Sequence, residues 1–277
     1  MQNKTILITG CSSGIGLCVA HGLRKRGYWV FAGARKHTDV ARLAAEGFAS
    51  FQLDLASSSS IHAAVDSVLE QTGGRLYALF NNGAYGQPGA VEDLSRACLR
   101  EQFEVNLFGA LEVTNRVIPV MREQGHGRII QNSSLLGFVA LPYRGAYNAS
   151  KFALEGMTRT LRLELRGTDI HAVLIEPGPI ASRFRANAHQ AFLRHIDPNA
   201  SAHSESYTKL LERLAGKGPA ARFTLAPDAV LARVITALES RRPRPHYYVT
   251  FPSYLFAALK HILPYRLLES MLARILI

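Results

Sequence analysis

Two side chains able to exchange a proton with an alcohol stand four apart in Tyr147-Asn-Ala-Ser-Lys151, a segment of helical period, so both face one side of a helix. An ammonium beside a phenol stabilises the phenolate and draws its pKa down from about 10, as proton transfer to or from an alcohol oxygen requires. The spacing is weak evidence by itself, since ten tyrosines and seven lysines give one such pair by chance about a quarter of the time. Thirteen residues before Tyr147, Asn132-Ser133-Ser134 closes a strand-like run. A serine at a strand's carboxyl end can project into the ligand crevice and donate a hydrogen bond to a carbonyl oxygen. No G-x-S-x-G elbow frames Ser134, so a nucleophilic role is disfavoured, and the plainer reading is a serine closing a turn.

A third feature handles phosphate. Thr9-Gly10-Cys11-Ser12-Ser13-Gly14-Ile15-Gly16 follows the first strand-like run and opens an apolar-periodic helix. Glycines there permit a tight turn and close approach of the backbone to a pyrophosphate, and the helix N-terminus offers unpaired N–H groups. The spacing, G-x3-G-x-G, departs from the common G-x-G-x-x-G. The second strand ends at Ala34-Arg35-Lys36, where an acid would bind a ribose 2′-hydroxyl and a base a 2′-phosphate. No Asp or Glu occurs between Gly27 and Thr38, so Arg35 and Lys36 favour NADP(H) over NAD(H).

The elements that must position these groups are legible as alternating short β-branched runs and longer helical segments, the pattern of βαβ units around a parallel sheet. Strands are predicted at Thr5–Thr9, Trp29–Ala34, Ala49–Leu53, Ala78–Asn81, Gly127–Ser133, His171–Ile175 and Tyr247–Thr250. Helices are predicted at Gly14–Arg26, Ser59–Thr72, Arg96–Gln124, Tyr147–Arg166 and Pro227–Ser240. Residues 182–223 lack a strand-like run and read as a helical lid. The expectation is an α/β, doubly wound parallel sheet in a single domain over residues 1–250, followed by an amphipathic extension over 251–277.

The 277 residues suffice for a large core, and 48% apolar with 19% charged content excludes a disordered or fibrous chain. Cys11, Cys18 and Cys98 are too few and scattered for a disulfide framework or zinc cage, which points to a reducing compartment, the cytoplasm, and to no metal. The N-terminus lacks a signal-peptide core, and the uncharged run from Pro245 to Leu259 is shorter than a spanning helix needs. The net charge of +11 invites nucleic acid, an anionic membrane or an anionic small molecule. Its arginines are dispersed, with no zinc-finger or RNA-recognition signature, so no nucleic-acid partner is expected.

Thr9-Gly10-x3-Gly14-Ile15-Gly16, Asn81-Asn82, Asn106, Ser134, Tyr147-x3-Lys151 and Pro177-Gly178 together resemble the short-chain dehydrogenase/reductase family over about Thr5 to Phe184. The resemblance implies a Rossmann-type fold with a seven-stranded parallel sheet, hydride exchange between a nicotinamide and a carbonyl or alcohol carbon, and a dimer or tetramer. It makes Tyr147 the acid or base, Lys151 the group that lowers its pKa and holds the nicotinamide ribose, and Ser134 the group orienting the substrate oxygen. Asn106 would hold a water in a proton relay. For the cofactor it implies the loop residues Gly10, Ser12, Ser13, Gly14, Ile15 and Gly16, with Asp54 and Leu55 at the adenine, Asn82 along the channel, and Pro177, Gly178, Ile180 and Ser182 at the nicotinamide. Asn81-Asn82-Gly83-Ala84 exchanges the last two residues of the family's usual Asn-Asn-Ala-Gly. The stretch from Ser134 to Met157 is similar to the branch holding 17β-hydroxysteroid dehydrogenases, retinol dehydrogenases and bacterial aldehyde reductases, which implies an apolar carbonyl or alcohol substrate. Phe138, Tyr143 and Phe184 are expected to shape its pocket. A catalytically idle NADP(H)-binding or redox-sensing protein of the same fold is the alternative.

Beyond Arg266, Leu267, Leu268, Met271, Leu272, Ile275 and Leu276 form one stripe opposite Arg266, Glu269, Ser270, Ala273 and Arg274, and Leu255, Phe256, Leu259 and Ile262 precede it. Such a tail covers the pocket, packs on another subunit or lies on a membrane surface.

Overall fold

The computed structural model describes residues 4–216, 218 and 221–275. Leu276 of the predicted stripe and residues 217, 219 and 220 of the predicted lid lie outside them. Seven parallel strands form one sheet in the order β3-β2-β1-β4-β5-β6-β7. They are β1 (Thr5–Ile8), β2 (Trp29–Ala34), β3 (Ala49–Gln52), β4 (Ala78–Asn81), β5 (His126–Asn132), β6 (Asp169–Glu176) and β7 (His246–Tyr248). The register pairs Leu7 with Phe31 on one side and with Leu79 on the other.

Side chains alternate across this sheet with period two. Ile6 and Ile8 join one core layer with Val19 and Leu23 of α1 (Gly14–Lys25) and Val230 and Val234 of α9 (Asp228–Glu239). Leu7 joins the other layer with Ile61 and Val65 of α3 (Ser58–Thr72) and Val113 and Val117 of α5 (Gly109–Gln124). Helices on both faces explain why the strands are almost continuously apolar. Each fully buried Ile, Leu or Phe contributes about 1.5–3 kcal/mol before conformational entropy is counted. The chain steps outward from β1 to β2 and β3, then crosses back to β4 on the other side of β1, so a crevice opens at the carboxyl ends of β1 and β4.

Three local features depart from the sequence reading. A helix at His37–Ala45, α2, follows β2; it is only nine residues long and buries only Leu43 fully, so its short apolar stripe of Val40, Leu43 and Ala44 was not recognised. The predicted long helix from Arg96 to Gln124 is two helices, α4 (Arg96–Phe103) and α5, joined by a five-residue π turn at Glu104–Phe108. There the helix meets the chain after β3 closely enough that a Cβ on Gly109 would lie 2.0 Å from the Leu55 carbonyl oxygen. The turn after β4 accommodates the exchanged Gly83-Ala84 order, with the Gly83 N–H donating to Thr9 Oγ1 at 2.8 Å.

The predicted lid is helical, with α7 (Phe184–His195) and α8 (Ser204–Ala215). The extension forms α10 (Phe251–Ile262) and α11 (Tyr265–Ala273), whose Phe256, Ala257, Leu268 and Leu272 pack on Leu135, Phe138 and Val139 after β5. Among the described residues no helix is long and apolar enough to cross a membrane.

Candidate active site

The glycine loop turns because Gly10 takes φ +72° and Gly14 φ +58°, conformations costly for other residues. Gly16 is required for a different reason: a Cβ there would meet the Gly10 carbonyl oxygen at 2.3 Å and Asn82 Nδ2 at 2.6 Å. Ser13 precedes α1 without a side-chain cap, and the first turn holds no acid. Its N–H groups and helix dipole therefore face an anion, so the loop fits a dinucleotide pyrophosphate.

Asparagines tie this loop to the proton-transfer residues. Asn82 Nδ2 donates to the carbonyls of Thr9 at 3.0 Å and Gly10 at 3.2 Å. Asn132 Nδ2 donates to Asn82 Oδ1 at 3.0 Å, and Lys151 Nζ donates to the Asn132 carbonyl at 2.7 Å. Lys151 lies on α6 (Gly145–Glu164), one turn after Tyr147. Thr9 and Asn132 were not foreseen as site residues; Thr9 stood only at the head of the glycine motif and Asn132 only in the polar run at the end of β5. Arg42 of α2 was also missed, and it donates to the Ser12 carbonyl of the loop at 2.8 Å.

Ser134 begins the turn after β5, where its Oγ accepts from the Leu136 N–H at 3.0 Å and donates to the Pro177 carbonyl at 3.5 Å, and it lines the same cavity as the Tyr147 phenol. Burial pushes the Tyr147 pKa up to about 12, and the nearby Ser134 hydroxyl pulls against it. Lys151 does not supply the downward shift expected of it. The lysine ammonium, 5.8 Å from the Tyr147 ring centre, is held on the Asn132 carbonyl. Lys151 itself is pushed down to about 8 by burial, with Glu155 opposing.

One cavity of about 1210 Å³ joins these groups, lined by Gly10, Ser12, Ser13, Gly14, Ile15 and Asn82 at one end and by Ser134, Tyr147 and Lys151 in the middle. Pro177, Gly178, Ile180 and Ser182 line it as the sequence predicts. Phe184 also lines it, its ring edge-on to Tyr147 at 5.2 Å. The far wall is largely apolar, with Val139 and Leu141 joined by Phe223 at the end of the lid, Leu225 just beyond it, and Leu255 and Phe256 from α10, while Arg183, Arg185 and Arg222 also line the cavity.

Other predicted residues stand elsewhere. Phe138 does not face the cleft; it packs edge-on to Tyr248 and under the tail, because the turn after Ser134 directs it into that cluster. Tyr143, held at φ +56°, points to the lid, where its hydroxyl donates to Ser206 Oγ at 3.0 Å. Both brace the cleft instead of touching its contents. Asn106 is buried in the π turn, where it accepts from the Tyr85 N–H and donates to the Tyr85 carbonyl and Ser150 Oγ. Its side chain is engaged there and does not reach the cleft. Leu55 is core, packed with Val65 and Val113, and Asp54 Oδ1 accepts from the Ala56 N–H at 3.0 Å. Arg35 and Lys36 are exposed at the end of β2, outside the cavity wall.

One turn beyond Lys151, Glu155, Glu176 and His246 bring ligand-type atoms within 4.8 Å of one another. Arg159 donates to Glu155 Oε2, and His246 Nδ1 pairs with Glu176 Oε1. Glu155 Oε1 and Glu176 Oε2 are buried without hydrogen-bond partners. Burial and the Glu176 carboxylate push the Glu155 pKa well above its usual range.

Known proteins share this arrangement. The family model for short chain dehydrogenase matches residues 4–191. The uncharacterized oxidoreductase YbbO of Escherichia coli is 41% identical over 272 residues, covering 98% of this chain and 95% of that one. Human retinol dehydrogenase 8 is 31% identical over 251 residues, covering 87% and 79%. A short chain dehydrogenase/reductase from Burkholderia phymatum, solved in complex with NAD, superposes with a TM-score of 0.76 at 25% identity, covering 94% of each chain. With cleft, loop and sheet order all of one kind, the chain belongs to the short-chain dehydrogenase family of oxidoreductases, which bind a nicotinamide cofactor.

Proposed function

We propose that this protein is an NADP(H)-dependent oxidoreductase that reduces the carbonyl of an apolar aldehyde or ketone, steroid- or retinoid-like in size, and reversibly oxidises the alcohol. The observation that carries the reading is the meeting of the Ser134 and Tyr147 hydroxyls in one cavity whose far wall is apolar. The similarity to retinol dehydrogenase 8 supports a substrate of that class. The loop from Gly10 to Gly16 and the α1 N-terminus would hold the pyrophosphate, Arg35 and Lys36 the 2′-phosphate, and Lys151 the nicotinamide ribose. When bound, the nicotinamide supplies or accepts the hydride.

The protein's own residues handle the oxygen. Ser134 donates a hydrogen bond to the carbonyl oxygen, and that bond strengthens as negative charge develops. Tyr147, at about 12, keeps its proton at neutral pH and yields it to the far more basic alkoxide. In the reverse direction Tyr147 must first be deprotonated, so alcohol oxidation should accelerate as pH rises toward that value while reduction holds at neutral pH. Phe184, edge-on to the Tyr147 ring, shields the phenol from water, which strengthens each of these interactions.

The test is NADPH consumption with aliphatic aldehydes, retinal and steroid ketones. Tyr147→Phe should slow the best of these by about 10²- to 10⁴-fold. If wild type and variant were equally silent on every carbonyl while NADPH still bound, an idle binding or redox-sensing protein would be left. The cofactor preference has its own check. Arg35→Asp should weaken NADPH binding by about tenfold or more and NADH far less, because a guanidinium pairs with the phosphate and a carboxylate repels it. Equal wild-type affinity for the two cofactors would remove the preference.

A further inference from the structure

The exposed face of α10 is apolar where a surface helix is ordinarily polar. Phe251, Tyr254, Leu255, Ala258 and Ile262 are all exposed, at spacings i, i+3, i+4, i+7 and i+11, which is one stripe of a helix. Phe251 is 56% exposed, Tyr254 46% and Ile262 74%. The buried face, with Ser253, Phe256 and Ala257, already packs on the body, so the outer stripe is a second apolar face. Exposed Tyr265, Leu267 and Met271 on α11 continue it. Phe223, its ring 5.0 Å from that of Phe251, extends it on the other side and carries the Arg222 guanidinium over its face at 5.1 Å.

The segment that carries this face is basic. Between Glu239 and Glu269 the chain holds no acid but five bases: Arg241, Arg242, Arg244, Lys260 and Arg266. We infer that the stripe is a docking face for an anionic lipid surface, with α10 lying in the headgroup plane and the cleft mouth turned toward the bilayer. At about 1.5 Å per residue, the twelve residues of α10 reach about 18 Å, too short to span and long enough to lie flat. Exposed aromatics beside arginines suit the boundary between acyl chains and headgroups. A second copy of this chain fits less well, because it would set this basic surface against an identical one.

Phe223, Phe251 and Leu255 belong both to the stripe and to the cleft wall. A molecule dissolved in the bilayer would therefore meet the cleft without crossing water. That delivery step rests on the apolar-substrate reading above; the docking itself stands on the exposed face and its charge.

The test is co-sedimentation of the full-length protein with phosphatidylcholine vesicles, with and without phosphatidylglycerol. Wild type should pellet with the anionic vesicles, less with the neutral ones, and be released by salt. Tyr254→Glu with Ile262→Glu, both outside the cleft wall, should reduce anionic-vesicle partitioning by about tenfold or more, while turnover of a water-soluble aldehyde and the circular dichroism spectrum stay unchanged. Ile262→Ser alone should weaken partitioning to a smaller degree with less risk to folding. Failure of wild type to pellet, or equal pelleting of wild type and double variant, overturns the inference. It is also overturned if the variants change only the oligomeric state in sedimentation, which would give the face to a second copy. If vesicle binding held while every carbonyl went unreduced, the reaction reading would fail and the docking would stand.

Discussion

The two walls of the cleft are built in opposite ways. The wall formed by the glycine loop, Asn82, Asn132 and Lys151 is held by hydrogen bonds to main-chain carbonyls, with glycines where a methyl group would strike backbone at under 3 Å. The facing wall, from Phe184, Phe223, Leu225 and α10, is dominated by aromatic and aliphatic side chains left half-exposed, with Arg183, Arg185 and Arg222 among them. Hydrogen bonds have fixed directions and overpacked glycines tolerate no change, whereas apolar contacts are non-directional and forgive shape. The first wall therefore recognises one invariant ligand, and the second adapts to substrates that share only apolar surface.

The largest effect that would sharpen the contrast is Gly16→Ala. Its methyl group would collide with the Gly10 carbonyl and Asn82 and displace the loop, costing about 1–3 kcal/mol. Dinucleotide affinity measured by fluorescence titration should fall by about ten- to a hundredfold, with a lowered Tm. A variant that bound NADPH normally would show the polar wall to be as pliant as the apolar one. The opposite wall predicts a smaller and more selective change. Phe223→Ala should lower kcat/KM for large apolar carbonyls by about tenfold, leaving NADPH affinity and the turnover of short aldehydes unaltered. A uniform loss across substrates and cofactor would mean that both walls form one rigid unit.

The same contrast explains what could be read from sequence. The loop glycines, Ser134, Tyr147 and Lys151 are each demanded by a chemical or steric need at a fixed spacing, so residue type alone exposed them. Phe138 and Tyr143 are aromatics near the catalytic helix, and nothing in an aromatic's identity says whether it faces a cavity or the core. The backbone decides, through the turn after Ser134 and the φ of +56° at Tyr143. The lid and tail could be read as covers for a pocket, but which of their side chains face it could not, because Phe223, Leu225, Leu255 and Phe256 come from distant segments that only the fold assembles. Helix α2 escaped notice because its apolar stripe, Val40, Leu43 and Ala44, spans little more than one turn, while Arg42 with Glu46 and Asp39 makes the rest of its surface polar. The expected drop in the Tyr147 pKa failed because proximity in sequence reveals the neighbouring charge but not the depth of burial, which dominates here.

The smallest expected effect concerns the polar cluster beyond the rigid wall. Glu155 is raised, first by burial and then by Glu176, so its ionised form destabilises the fold. That penalty is absent below the usual carboxyl value of 4.5, grows as pH rises through the window up to the elevated folded-state value, and is complete above it. Glu155→Gln removes the charge while keeping a side chain of similar size. Its former partner Arg159 is about half exposed and can be rehydrated. The variant should therefore be more stable than wild type by about 1 kcal/mol at mildly alkaline pH, read as a higher midpoint in urea. The two curves should converge as pH falls toward the carboxyl range. A variant less stable at every pH would show that the Arg159 pair outweighs the cost of burying the carboxylate. In that case this part of α6 would be as firmly tied down as the loop it stands beside.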